Sequence, residues 1–591
     1  MGRTVIMNRW GILGVLVLAA ACGGDDDRIN EQAHLCPGVV AGALPGAELS
    51  ESAAPRPEAE SDGGRHFLIR FRDEASVSAS RVWDLGSQVI HVYRHAPAIA
   101  ARLTPEEYAS LLRDPDVEYI EPDALRRPLG VASRLTASAT QSIAVQGSAG
   151  EYTPGLDMVE APWVWDQNRN GTLDKQEPNL PVKDPYYGEG IKVCVIDTGI
   201  DPRHPELQGV VETSKDFVDG DGDASDQDAR GVWGEGHGTH VAGIIAAQLG
   251  AGGTVGPNMD EKGVVGVAPG ARLLIARVLN TQGVAWASDI IKGLEWCQEQ
   301  GAQIASLSLG GAEDSREERD AFQKASDSGM LIIAAAGNSG GPMDFPAAYR
   351  SVLAVGAVDQ SMRRAPFSAH GFSLSLMAPG VDVLSTVIQG QGTMSEVELG
   401  DIPYESRPVF LTPAGKISGR LVDCGVGDSI GSCRTASCDG FVAYVDRSLS
   451  VPLPIQLANV MRQGAGAVIF GDLPHEGAPS SLTVGRRGTW VPAVVVSDET
   501  AGAMRKMMGF NAHVRLHATD YALSSGTSMA APHVAGVAAI VWSKRPTLSA
   551  TQVRSLLEST AKDLGPEGKD YDYGYGLVQA KAALQEVDEI H

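Results

Sequence analysis

From about residue 156 onward the chain alternates short, almost wholly apolar runs with segments of helical period. The runs include IKVCVIDTG, ARLLIARVL, AQIASLSLGG, MLIIAAAGN and SVLAVGAV, and the helical segments follow HGTHVAGIIAAQ and surround DIIKGLEWC. Strands that are apolar on both faces and separated by helices predict a parallel sheet covered by helices on both sides. The predicted fold class is therefore α/β. In such a sheet functional side chains gather at the carboxyl ends of strands. Asp197 follows VCVI and Asn338 follows LIIAAAG, so both stand at that edge.

Other patterns flank this core. HFLIRF alternates as a strand, LTPEEYASLLRDP reads as a capped helix and VEYIEPD as a second strand, which together predict a small α+β unit over residues 65–127. Residues 23–64 include a Pro/Ala/Glu/Ser-rich linker. Residues 128–152 are rich in Ser, Ala, Gln and Gly without a hydrophobic period, a natural place for processing. The α/β pattern pauses after FSLSLMAPGVDVLST and resumes at LSSGTSMAAP. Between them, over residues 387–520, FVAYVDR, QLANVMRQGAGAVIFGD and VPAVVVSDETAGAMRKM predict an inserted unit of strands and helices. The main unit thus spans residues 153–386 and 521–591.

Composition narrows the function classes. Of 591 residues, 43% are hydrophobic and 20% charged, as in globular proteins of several units. Acidic residues outnumber basic ones, 73 to 48, the net charge is -25, and no long basic run occurs. That argues against nucleic acid or an anionic membrane surface as partner. Residues 1–22 read as an export signal: Arg3 and Arg9 flank the start of an apolar run, residues 11–21, that is too short to span a bilayer. The run ends LAAAC and resembles a bacterial lipoprotein signal, with Leu18 one place further from the cysteine than usual. Either Cys22 is lipidated, which makes a lipid anchor the only membrane contact, or cleavage after Ala21 leaves it a plain thiol. Cys194 in an apolar run and Cys297 beside Trp296 read as buried thiols. Export permits a bridge from Cys424 to Cys433 or to Cys438, and the absence of a nearby His disfavours zinc.

Three motifs carry the chemistry: DTGID around Asp197, GHGTHVAG around His237 and GTSMAAPHVAG around Ser528. A serine hydroxyl needs a base to become a nucleophile, imidazole is the base suited to neutral pH, and a carboxylate orients and stabilises the imidazole. The order Asp, His, Ser, together with AAAGNSGG around Asn338, resembles the subtilisin-like serine proteases, or subtilases. The resemblance implies a subtilisin-like parallel sheet, an Asp197–His237–Ser528 triad, and an oxyanion hole from Asn338 and the Ser528 backbone N–H. It also implies structural roles for His240 and His533, and an extended substrate strand held by Ser308, Leu309 and Gly310 on one side and Ala336–Gly337 on the other. Phe345–Pro346 resembles the family's aromatic–Pro pair, commonly cis. Glu206 stands where a calcium-binding Asp is more usual. By the same resemblance residues 65–127 are a ferredoxin-like inhibitory propeptide, and the insertion is a protease-associated (PA) domain. Partners are protein or peptide substrates and the chain's own propeptide.

Two readings concern specificity and metal. The residue before the aromatic–Pro pair lies near the floor of the P1 pocket in subtilases. Here it is Asp344, which either favours a basic P1 residue or caps a turn at the surface. The run DQNRNGTLDKQE matches a calcium-loop pattern, with Asp166, Asn168, Asn170, Thr172, Asp174 and Glu177 as candidate ligands of a structural calcium. The downstream PNLPVKDP cannot start a helix, which leaves a lone loop and not a full EF-hand. The acidic run from Asp219 fits no complete pattern.

Overall fold

The computed structural model describes residues 64–83, 88–129, 151–177, 186–227, 236–257, 259–434, 440–474, 479–480, 482–485 and 488–589. The export signal, Cys22, Cys438 and most of the 128–152 linker lie outside them.

The N-terminal unit runs β1 (Arg65–Phe71), α1 (Glu74–Ala79), β2 (Gln88–Val92), β3 (Ala98–Leu103), α2 (Pro105–Leu111) and β4 (Val117–Pro122). Its strands form one sheet in the order β2-β3-β1-β4, with β1 antiparallel to β3 and to β4. Thr104 and Glu107 form a capping box that starts α2. Strand alternation gives the sheet two faces. Ile99 and Ala101 pack with Ile69, Phe71 and Leu111 in a private core, whereas Ala98 and Ala100 pack with Leu68 and Tyr93 against Ile291 and Ala321 of the main unit. A fifth strand, β5 (Leu125–Pro128), leaves this sheet.

After two short helices, α3 (Pro154–Met158) and α4 (Pro162–Trp165), the main sheet is built from seven strands. They are β6 (Lys192–Asp197), β7 (Val211–Asp216), β8 (Arg272–Arg277), β10 (Ile304–Leu307), β12 (Leu331–Ala335), β13 (Val352–Val358) and β14 (Leu374–Pro379). Their order is β14-β13-β12-β10-β6-β8-β7 and every pairing is parallel. The helices on its faces are α5 (His237–Ala246), α6 (Ala287–Glu299), α7 (Arg316–Asp327) and α10 (Thr527–Lys544). Val193 and Val195 of β6 face the core that holds α5 and α10. Cys194 and Ile196 face the core that holds α6. Near-continuous apolar strands follow from burial on both faces.

Cys194 and Cys297 correct the sequence expectation. They are joined as a disulfide that ties β6 to α6 across 103 residues of sequence. Both are fully buried, as expected, but they face each other across a strand–helix contact that no local pattern announces.

Between β15 (Val383–Thr386) and β25 (Tyr521–Ser524), which pair antiparallel, the chain leaves the main unit. The nine strands of the excursion form one sheet over residues 392–519, in which strands Gly415–Asp423, Val442–Asp446, Ala467–Gly471 and Ala493–Val496 run parallel. It has a core on each face. Ala443, Val445, Val468 and Phe470 lie on one, and Val442, Tyr444, Ala467 and Ile469 on the other. Of the two bridges open to Cys424, the structure has Cys424–Cys433.

Candidate active site

Asp197 ends β6 and is fully buried. Its Oδ1 lies 2.7 Å from Nδ1 of His237, the first residue of α5, and accepts the Thr198 N–H at 2.7 Å. Gly236 enters α5 at φ +116, a left-handed conformation that a side chain would strain. Gly238 lies so close to the preceding segment that a Cβ there would stand 2.2 Å from the Gly199 carbonyl. Glycine at both positions is therefore what lets the imidazole approach the strand end. His240, one turn along, places Nε2 3.1 Å from the carbonyls of both Val383 and Ala522, and burial lowers its pKa to about 3. It is held neutral as a bridge between segments. His533 is likewise buried, with Nδ1 2.7 Å from the Met529 carbonyl, and its pKa is lowered to about 4.

Ser528 lies in the first turn of α10, where the helix dipole favours negative charge. Its Oγ donates to the Ser308 carbonyl at 2.9 Å, and Ser308 Oγ donates back to the Ser528 carbonyl at 2.8 Å. Asn338 follows β12. Its Oδ1 accepts from the N–H and the Oγ1 of Thr527, both at 2.9 Å, and its Nδ2 donates to the carbonyl of Leu129.

That last contact shows what lies in the cleft. β5 enters it and forms a three-stranded sheet between β9 (Ala285–Trp286) and β11 (Leu309–Gly310). Leu309 pairs with Pro128, Gly310 with Arg127, Ala285 with Arg126 and Trp286 with Leu125. The Leu129 N–H donates to the Ser308 carbonyl at 3.0 Å. Ser308, Leu309 and Gly310 are thus brought to one strand edge, with Asn338 at its end. A Cβ on Gly310 would stand 2.9 Å from Leu129 Cδ1 and 2.9 Å from Asp344 Cβ, and one on Gly337 would stand 2.8 Å from Asp344 Oδ2. Asp344 therefore borders the space that Leu129 enters. Burial raises its pKa, against the pull of the nearby Arg126 guanidinium. The Phe345–Pro346 bond is cis.

The candidate calcium loop lies elsewhere on the main unit. Asp166 and Asp174 are buried, and Asp174 Oδ1 has no hydrogen bond among the described residues. Asn168 and Asn170 both donate their amides to Glu177, at 2.8 and 2.6 Å, while Thr172 N–H donates to Asn170 Oδ1. The oxygens of Asp166, Asn168, Asn170 and Glu177 already accept hydrogen bonds within or beside the loop, and Asp174 Oδ1 is the one buried carboxylate oxygen among these side chains left over for a hard cation. Among the described residues no three His, Cys, Asp or Glu side chains are already arranged as a metal-ligand group. In the second acidic run, Asp219 already lies 3.2 Å from Arg277, which also reaches Asp216 just before the run at 3.3 Å. Glu206 is buried, and its Oε1 accepts from the Tyr521 hydroxyl at 2.7 Å and from Val264 N–H at 2.8 Å.

Thr527, which orients Asn338, and Leu129, which meets it, were not among the expected site residues. The run Arg126-Arg127-Pro128-Leu129 at the edge of the predicted linker was the available signal.

A buried Asp–His pair at one strand end and a serine at a helix start, on a parallel sheet wound on both faces, define serine-protease-like catalytic architecture. Comparison with known proteins carries this to a family. The Subtilase family profile matches residues 188–401 and 493–576, and the Peptidase inhibitor I9 profile matches residues 70–128. The chain is 34% identical over 335 residues to M-protease of Shouchella clausii (strain KSM-K16), covering 54% of this chain and 73% of that protein. It is 31% identical over 406 residues to subtilisin DY of Bacillus licheniformis, covering 68% and 93%. The crystal structure of the psychrophilic subtilisin-like protease Apa1 from the Antarctic psychrotroph Pseudoalteromonas sp. AS-11 superposes with a TM-score of 0.52 at 29% identity, covering 74% of this chain and 98% of that one. The chain belongs to the subtilase family and is a subtilisin-like serine endopeptidase with an N-terminal inhibitor-type domain.

Proposed function

We propose that Ser528 is the nucleophile, His237 the general base and Asp197 its orienting carboxylate, and that the enzyme is made as a zymogen. Ser528 Oγ attacks the substrate carbonyl as His237 takes its proton. The tetrahedral oxygen then receives hydrogen bonds from Asn338 Nδ2 and the Ser528 backbone N–H. Collapse expels the amine, which takes the proton from His237, and water hydrolyses the acyl-enzyme by the reverse transfers. Ser308, Leu309, Gly310 and Gly337 hold the substrate as an added strand.

The observation that carries this reading is the chain's own strand, β5, paired with β11 and ending with the Leu129 carbonyl on the Asn338 amide. It occupies the cleft as a substrate would. Residues 65–127 then act as a ferredoxin-like inhibitory propeptide, and the catalytic unit comprises residues 153–386 and 521–591. The insertion over residues 387–520 is read as a PA domain that positions substrates. Its support is the nine-stranded sheet over residues 392–519, which has a core on each face. Asp166, Asn168, Asn170, Thr172, Asp174 and Glu177 would hold a structural calcium that stiffens this loop. Export follows from the signal-like start, with a lipid on Cys22 as the anchor.

The test is labelling with a serine-directed fluorophosphonate. The mature protein should react and the Ser528→Ala variant should not. Purified Ser528→Ala should also keep its propeptide covalently attached. Labelling that persists in Ser528→Ala, or normal processing of that variant without other proteases, would overturn the assignment.

A further inference from the structure

The depth of Arg126 in the cleft carries a statement about substrate choice, and it rests on the strand-in-cleft reading above. With the Leu129 carbonyl at the Asn338 amide, Leu129 takes the place of P1, the residue whose carbonyl is attacked. Counting back along β5, Arg126 takes the place of P4. Its side chain is fully buried. Nε donates to Glu318 Oε1 at 3.2 Å, Nη2 donates to Glu318 Oε2, and Nη1 donates to the Leu125 carbonyl at 3.0 Å. Glu318, on α7, is also fully buried, and the Tyr349 hydroxyl lies 2.8 Å from its Oε2. Its backbone N–H is fixed by Ser315 Oγ at 3.1 Å. The floor is bare: a Cβ on Gly311 would stand 2.5 Å from the Leu125 carbonyl and 3.3 Å from Arg126 Nη1.

We propose that Glu318, with Tyr349 beside it, makes the P4 subsite specific for arginine, so that this endopeptidase selects peptides with Arg four residues before the cut. A guanidinium meets a carboxylate through two parallel hydrogen bonds, which an ammonium cannot reproduce. An apolar P4 side chain would cover Glu318 and leave a buried carboxylate without its counter-charge, so the pocket rejects what it cannot pair. The first substrate with this feature is the chain itself. The register places the maturation cut between Leu129 and Gly130, with water adding across that bond to leave a Leu129 carboxylate and a Gly130 amine.

The test uses the mature enzyme and peptides that share Pro at P2 and Leu at P1 and differ only at P4, carrying Arg, Lys or Leu. Arg should exceed Leu by about 30-fold or more in kcat/KM, the size expected when a buried charge pair is lost. Lys should fall between. Glu318→Gln should bring the Arg-to-Leu ratio close to one, and the N-terminus of the mature enzyme should be Gly130. Equal turnover of the three peptides by the unaltered enzyme would overturn the proposal while leaving the protease reading intact, whether or not the variant folds. A mature N-terminus elsewhere in residues 130–152, with Arg favoured at no position, would overturn it too. Failure to turn over any peptide, together with failure of the fluorophosphonate to label Ser528, would remove the proposal and the triad assignment at once.

Discussion

Thr527 decides which way the Asn338 amide faces. Both the N–H and the hydroxyl of Thr527 reach Asn338 Oδ1 at 2.9 Å. A backbone N–H can only donate, so the amide oxygen must face it, and the NH2 group is left pointing into the cleft. Asn338→Ala should therefore lower kcat by about 10²–10³-fold with little change in KM, as expected for a donor that acts on the oxyanion. Thr527→Val keeps the backbone donor and should cost less. Steady-state kinetics on one peptide with both variants checks this, and an unchanged kcat in Asn338→Ala would remove the assignment.

Asp344 should make P1 selectivity depend on pH. Burial raises its pKa, so its carboxyl stays neutral to a higher pH than usual and tolerates an apolar residue such as Leu129. As pH rises through that value the carboxylate forms, which favours Lys or Arg at P1 and penalises Leu. The Arg-to-Leu ratio at P1 is expected to climb with pH in the unaltered enzyme and to stay flat in Asp344→Asn. Profiles of kcat/KM against pH for the two substrates give the answer. Parallel profiles would place Asp344 outside specificity.

Calcium should stabilise the mature enzyme through residues 166–177. A ligand that binds only the folded state adds RT ln(1 + [L]/Kd), about 2.7 kcal/mol at a hundredfold excess over Kd. Chelation is expected to lower Tm, and Asp166→Ala combined with Glu177→Ala should shrink that drop. An identical drop in the double variant would place the responsible ion elsewhere.

Propeptide docking should weaken as pH rises above neutrality. Asp123, which accepts the Ser288 N–H at 3.1 Å, has its pKa raised by burial to about 8. His95 lies 2.8 Å from Glu295 and 3.0 Å from Glu317. Burial alone would lower its pKa, but these carboxylates outweigh it and the value is raised. Both groups are favoured protonated in the docked state. What they contribute is present below their ordinary values and is lost as pH rises through the raised ones, between 3.8 and about 8 for Asp123. His66, lowered to about 4 mainly by burial, opposes them only on the acid side of 6.5. The processed but undissociated complex should therefore release its propeptide faster at pH 9 than at pH 6.5, and Asp123→Asn should reduce the difference. Size-exclusion chromatography of the complex at the two pH values measures it.

Much of the fold was legible because its signals are local. The strands of the main sheet are apolar on both faces, and the residues of the candidate site stand where such strands end or helices begin. What escaped depends on faces meeting. Glu317 and Glu318 sit in SREERDAF, a run that looks like the solvated side of a helix. Both are fully buried because the N-terminal unit covers them: Arg70 reaches Glu317 at 3.0 Å and Arg126 reaches Glu318. Cys194 and Cys297 escaped for the same reason, since their bond reports how α6 lies on β6.

The excursion between β15 and β25 also has a meaning for biosynthesis. The excursion over residues 387–520 adds roughly 130 residues between His237 and Ser528, which at 5–20 residues per second is a delay of roughly 7–27 s in synthesis. Residues 65–127 are translated before the Asp197–His237 pair, and Ser528 only after the excursion. A nascent chain that has reached the excursion therefore carries the inhibitor-type domain and the Asp197–His237 pair but not Ser528, so the candidate site is completed only after the N-terminal domain is already present.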